Sequence, residues 1–228
     1  MRKPAISVGL MVLAPVALWA QCQVIDDFTS GPVRLGLRIP NTSVAKTQTG
    51  SMLGGVRGTA FLIGGNQFLQ PAEIDIDNGG PLVMTTGLRE FFRLDMVYGV
   101  NASFVFTPLG YHPTGCDRFR VTFDSASRVL NFNILAFQGP GITPFQDGIN
   151  LDPGPFLSPF CVDFLFSNFI TGAPNTPEDF AGQGLNALDF IFQSGSAIGA
   201  NEFAITKIET VDPITAGANP CAIVAPHL

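Results

Sequence analysis

Beyond its first twenty residues the chain has no tryptophan, since the single one is Trp19, and it keeps only two tyrosines, Tyr98 and Tyr111. Glycan clefts are built on flat aromatic rings that also carry a polar handle. Phenylalanine can stack but lacks the handle. The composition therefore weighs against a strong glycan-binding cleft, and Tyr98 and Tyr111, with exposed phenylalanines, are the residues that could line one. Histidine is as scarce: His112 lies in the loop GYHPTGC and His227 is the penultimate residue. A serine or cysteine triad would rest on His112 alone, and no nucleophile-elbow sequence accompanies it. Carboxylate pairs do occur, at Asp26 and Asp27, Asp75 and Asp77, Glu178 and Asp179, and Glu209 and Asp212. Alternating Asp75 and Asp77 read as the wet face of a strand, and nothing marks an acid of raised pKa, so no enzyme is expected.

Basic charge is short as well. In MRKPAISVGLMVLAPVALWA, Arg2 and Lys3 precede an apolar run from Ala5 to Trp19 that ends at Ala20, the order of a secretory signal peptide. Cleavage after Ala17 is an alternative to cleavage after Ala20, and an uncleaved anchor is the competing reading. Without Arg2 and Lys3, ten of the twelve basic residues face 18 acidic ones, and the formal charge moves from −6 to −8. An acidic surface repels phosphate backbones, which removes nucleic acid from the expected partners. No later apolar run is long enough for a second span. Residues 21–228 are expected to form one exported domain, secreted or held at the cell surface.

Close cysteine pairs are also missing. Cys22, Cys116, Cys161 and Cys221 stand too far apart for structural zinc, and an even number in an exported chain suggests two disulfides. Four cysteines allow three pairings. The favoured one is Cys22 with Cys221, tying the termini, and Cys116 with Cys161, tying internal loops.

What the chain has in quantity is β-pattern and turns. VRLGLRI places Val33, Leu35, Leu37 and Ile39 on one face, and AEIDID alternates Ala72, Ile74 and Ile76 with Glu73, Asp75 and Asp77. Asn78-Gly79-Gly80-Pro81 then reads as a hairpin turn before LVMTT. Further runs are Phe91 to Tyr98, Ser103 to Phe106, Phe119 to Phe123, Val129 to Phe137, Val162 to Phe166, Ala187 to Phe192 and Phe203 to Val211. The 25 glycines and 18 prolines punctuate them, Gly139 to Pro159 reading as long loops and Thr176-Pro177 as the start of one helical turn. The expected fold is all-β, a two-sheet antiparallel β-sandwich of jelly-roll form with at most one or two short helical turns. Most of the 21 phenylalanines then fill the space between the sheets.

GSMLGGVRG has the G-x-x-x-x-G spacing of a phosphate loop between Gly50 and Gly55. Val56 and Arg57 stand where Lys and Ser or Thr are needed, and VRGTAFLI after them is strand rather than helix. The stretch is a turn, with glycines at positive φ or a bulge, that starts a strand and leaves Arg57 facing solvent or an acidic neighbour. Calcium is the expected structural cation. In a jelly roll the first and last strands can lie together, which would gather Asp26, Asp27, Glu209 and Asp212 as hard oxygen ligands.

The segments VIDDFTSGP, TGSMLGGVRG, ALDFIFQSGSA and EFAITKIETVD resemble secreted bacterial jelly-roll domains of PEP-CTERM-type surface proteins. More loosely they resemble galactose-binding-like carbohydrate-binding modules. The resemblance implies an exported bacterial β-sandwich whose first strand begins near IDDF and whose last strand carries FAITKIETV. The closing NPCAIVAPHL departs from that sorted class, which carries a Pro-Glu-Pro signal, a span and a basic tail. The expected function is that of a non-enzymatic structural or interaction module, with a surface protein or a glycan as partner. The alternative is a calcium-stabilised carbohydrate-binding module.

Overall fold

The computed structural model describes residues 22–77, 79–138, 144–151, 159–170, 179–194, 200–221 and 223–225. Fourteen strands are found among them: β1 (Val24–Asp26), β2 (Val33–Leu37), β3 (Thr42–Thr49), β4 (Val56–Asn66), β5 (Ala72–Ile76), β6 (Leu82–Thr85), β7 (Glu90–Tyr98), β8 (Arg118–Ala126), β9 (Leu130–Phe137), β10 (Phe145–Leu151), β11 (Phe160–Leu165), β12 (Ala187–Ser194), β13 (Glu202–Val211) and β14 (Ile223–Val224). Two short helices accompany them, α1 (Phe180–Gln183) and α2 (Pro213–Ala218). The expected start of a turn at Thr176-Pro177 and the leader both lie outside the described residues.

The strands form two sheets. One holds eight strands, in the order β14-β11-β8-β13-β6-β5-β2 with β1 also paired to β13, and the other six, in the order β10-β9-β12-β7-β4-β3. Pairing is antiparallel except for β14 on β11. The chain is thus the all-β, two-sheet sandwich that the alternation requires. In the β5–β6 hairpin Ala72, Ile74 and Ile76 are buried while Glu73 and Asp75 are half-buried, and Gly79 supplies the positive φ, 82°, that the tight turn needs.

Phenylalanines join the sheets. Phe132 of the six-stranded sheet meets Phe164 of the eight-stranded one with ring centroids 4.8 Å apart, Phe192 meets Phe203 at 5.5 Å, and Phe190 meets Phe119 at 6.2 Å. Edge and offset contacts of this kind add about 0.5–1.5 kcal/mol each beyond the area they bury. Phe68, Phe91, Phe104 and Phe106 are the exposed exceptions among the described residues. Ser103 to Phe106 forms a tight turn and not the expected strand, because the Asn101 side chain accepts from the Ser103 and Val105 amides and Phe104 sits at φ 58°. The expected loop from Gly139 to Pro159 likewise contains β10, which pairs with β9 along its whole length.

Both disulfides form, with partners other than those favoured above. Cys22 bonds Cys116, and Cys161 bonds Cys221. Sheet order is the reason. β13 pairs with both β1 and β8, so Cys22, ahead of β1, meets Cys116, ahead of β8. β14 runs along β11, which brings Cys221 to Cys161.

GSMLGGVRG is a turn with Gly54 and Gly55 at φ 74° and 73°, feeding β4. Arg57 takes the acidic of its two expected neighbours. Its Nη1 donates to Asp26 Oδ2 at 2.7 Å, its Nη2 to the Ser30 and Gly31 carbonyls at 3.1 and 3.0 Å, and its guanidinium lies 5.5 Å from the Phe28 ring centre. Tyr98, across the strand pair from Arg57, donates its hydroxyl to the same Asp26 oxygen at 2.8 Å. The first strand is thereby fastened to the opposite sheet.

Candidate binding face

Directly paired residues of antiparallel strands share a face, so the register shows which side chains the six-stranded sheet turns away from the core. One row across it runs Asn131, Gln193, Arg93 and Leu62. The next runs Gly148, Asn133, Ile191, Asp95 and Ala60, and the third Gln146, Leu135, Asp189, Val97, Gly58 and Thr47. Rows lie ~7 Å apart and neighbours within a row ~4.8 Å apart. Asn131, Gln193, Arg93, Asn133, Asp95 and Asp189 thus form one polar patch over three adjacent strands.

The alternation that buries Leu130, Phe132 and Ile134 of β9 is what turns Asn131 and Asn133 outward. Both are half-buried, as is Gln193 on β12, and none of the three amides has a hydrogen-bond partner among the described residues. Each offers two donors and an acceptor. Arg93 grips Asp95 with Nε at 2.7 and 3.0 Å from the two carboxylate oxygens. Asp189 is different, because its Oδ1 is buried without a partner. Burial, then the nearby charge of Asp95, push its carboxyl up to about 7, against the pull of Arg93. The face presents three free amides, one committed carboxylate and one uncommitted carboxyl.

Apolar surface frames the patch. Phe91, on the same face of β7 as Arg93 and Asp95, is exposed at one end, and Phe104 lies against Gly58 at the other, where a Cβ would come within 2.7 Å of the ring. Thr47 anchors the Phe104 turn by donating to the Ala102 carbonyl at 2.8 Å. Beside the patch, a cavity of about 170 Å³ opens between Asn133, Gln146, Asp147, Gly148, Asn168 and Ile170. A side chain at Gly148 would displace the Asn133 amide, whose Oδ1 lies where the added Cβ would go. A second cavity, of about 470 Å³, lies elsewhere beside Cys116, where Arg118 is bound to both Asp117 and Asp163.

The residues singled out in the sequence take other places. Tyr98 and Tyr111 are buried and line no groove: Tyr98 bonds Asp26, and Tyr111 shares a 2.5 Å hydrogen bond with Thr210. A phenol whose hydroxyl is satisfied inside the sandwich packs like the phenylalanines around it. The four expected calcium ligands do not converge. β1 and β13 do pair, but Asp26 faces Arg57, Asp27 accepts from the Thr29 hydroxyl at 2.6 Å, Glu209 pairs with Lys207 at 2.9 Å and Asp212 caps α2. Among the described residues no three His, Cys, Asp or Glu side chains are grouped to hold a metal.

No family model matches the chain, and no curated protein sequence is similar to it. Solved structures similar to it include the family 11 carbohydrate-binding module of a cellulosomal cellulase of Clostridium thermocellum. The two are 12% identical with a TM-score of 0.40, over 91% of this chain and 98% of that one. The family 11 module from Clostridium thermocellum in complex with a β-1,3-1,4-mixed-linked tetrasaccharide is 13% identical, with a TM-score of 0.39 over 84% and 95%. An agarase is 11% identical, with a TM-score of 0.38 over 62% and 22%. Overlap at this level is too partial to carry a ligand from one chain to another.

Proposed function

We propose that the protein is a non-catalytic binding module that works outside the cytoplasm and holds a neutral, hydroxyl-rich chain, a glycan, on the outer face of its six-stranded sheet. The observation that carries this is the patch of Asn131, Asn133 and Gln193, amides that are half-buried and yet unbonded. None of their amide atoms is shut off from water, so each is a hydrated donor or acceptor that a ligand can engage in place of water. Planar amides pair well with hydroxyl groups, which also both donate and accept.

Charge narrows the ligand. Arg93 is paired through Nε with Asp95, and Asp189 adds negative charge above neutral pH, so the patch has no net positive charge to draw a sulfate or uronate. Phe91 and Phe104 give the two ends apolar surface without the polar handle of tryptophan, which keeps affinity modest. Binding is favoured over hydrolysis because Asp95 is held by Arg93, whereas glycosidic cleavage takes a pair of carboxyl groups free to act. Two disulfides suit an oxidising compartment, and no helix among the described residues is long and apolar enough to cross a membrane.

Affinity electrophoresis through gels containing neutral or anionic polysaccharides tests the reading. Retardation by at least one neutral polysaccharide, lost when Asn131, Asn133 and Gln193 are all changed to alanine, is expected. Retardation that survives the triple change, or that comes from anionic polymers alone, contradicts it.

A further inference from the structure

Three turns meet at one end of the sandwich and carry large apolar side chains into solvent. Ile39, between β2 and β3, is 66% exposed; Phe68 and Leu69, between β4 and β5, are 54% and 59% exposed; Leu88, between β6 and β7, is 48% exposed. Isolated exposed leucines need no account, but four on adjoining turns form a patch.

The turns are locked to one another. Asn66 donates to the Arg38 carbonyl at 3.0 Å, to the Gln70 carbonyl at 2.6 Å and to Glu90 Oε1 at 2.8 Å, and Gln70 Oε1 accepts from the Leu88 amide at 2.7 Å. Glu90, the acid of these turns, is buried and points inward, where it also accepts from the Gly87 amide at 2.6 Å. On these three turns the charge left facing outward is positive, the exposed Glu202 lying at the start of the neighbouring strand opposite Thr85. Arg38 and Arg89 are exposed and pair with no carboxylate, Arg89 bonding only Gln67.

We infer that this end of the sandwich, Ile39, Phe68, Leu69 and Leu88 flanked by Arg38 and Arg89, docks the protein on a bilayer surface bearing anionic headgroups. Apolar side chains held on a rigid tip enter the headgroup and acyl boundary at no folding cost. The two guanidinium groups stay at the level of the headgroup charges. Charge complementarity selects this occupant over a second copy, because a symmetric contact would set the arginines of one tip against those of the other. The inference is independent of the glycan reading, since it uses the end of the sandwich and not the sheet face.

The test is co-sedimentation of the disulfide-bonded protein, from residue 21 onward, with vesicles of phosphatidylcholine alone and of phosphatidylcholine mixed with phosphatidylglycerol. Binding to the mixed vesicles, weakened by salt, is expected. It falls about tenfold or more in Phe68→Ser with Leu69→Ser, through lost apolar burial. A fall of similar size is expected in Arg38→Glu with Arg89→Glu. All four side chains are exposed, so both variants keep the parent melting temperature. Failure to bind either vesicle, equal binding to both, variants that bind like the parent, or a serine variant whose only change is loss of an oligomer in sedimentation velocity each overturn the inference.

Discussion

Arg57 Nη1 stands 2.7 Å from Asp26 Oδ2, both side chains are shut off from water, and the pair crosses from the six-stranded sheet to the eight-stranded one. A buried pair of this kind is weak evidence for net stability, yet removing one partner leaves the other charge stranded. Asp26→Asn is expected to cost about 3–5 kcal/mol. That lowers the melting temperature by roughly 10 °C in a chain of this size. Tyr98→Phe, which takes one donor from Asp26, costs about 1 kcal/mol. Denaturant unfolding of the two variants checks the order, and equal losses would contradict it.

The disulfides give a second prediction. Peptide mapping without reduction recovers Cys22 with Cys116 and Cys161 with Cys221. The bonds close sequence separations of 94 and 60 residues, and losing either costs about 4 kcal/mol by loop-closure entropy. Recovery of a peptide joining Cys22 to Cys221 refutes the sheet order beside β13.

Asp189 gives the pH dependence. Its carboxyl is raised to about 7 in the folded chain from the ordinary value of 3.8, so between these values the folded state binds more protons than the unfolded one. Stability from this group therefore falls as pH rises from about 4 to about 7 and is level above. Asp189→Asn removes the penalty. Melting curves across pH should show the variant more stable than the parent at pH 8 and the difference closing toward pH 4. Parallel curves would refute the assignment.

A chelator separates this account from calcium stabilisation. Asp26, Asp27, Glu209 and Asp212 are each engaged by a side chain or a helix end. The melting temperature of the purified protein should not move when a chelator is added. A fall reversed by calcium would show a site that these four side chains do not make.

Much of the sandwich is legible in the residues, for physical reasons that differ from strand to strand. β5 alternates strictly, so its buried face follows from polarity alone, whereas in β7 the central Phe92 to Met96 alternate but Glu90 is buried and Phe91 exposed. β3, TSVAKTQT, is an edge strand paired only to β4, and with one large apolar residue, Val44, it gives no such signal. The cysteine partners are set by β13 lying between β8 and β1 and by β14 running along β11, an order no local pattern carries. The candidate face is hidden for the same reason. Asn131 and Asn133 look like any solvated strand face until sheet order sets Gln193, Arg93 and Asp189 beside them. Tyr98 and Tyr111 mislead in the opposite sense, because a polar handle satisfied inside the core looks in the sequence like one offered to a ligand.

The most direct test of the binding face is side-chain amide NMR of the protein titrated with an oligosaccharide from whichever polysaccharide retards it. The account predicts that the NH₂ signals of Asn131, Asn133 and Gln193 shift together and saturate with one affinity. Shifts confined to the eight-stranded sheet or to the Cys116 cavity, with these three signals unmoved, would contradict it.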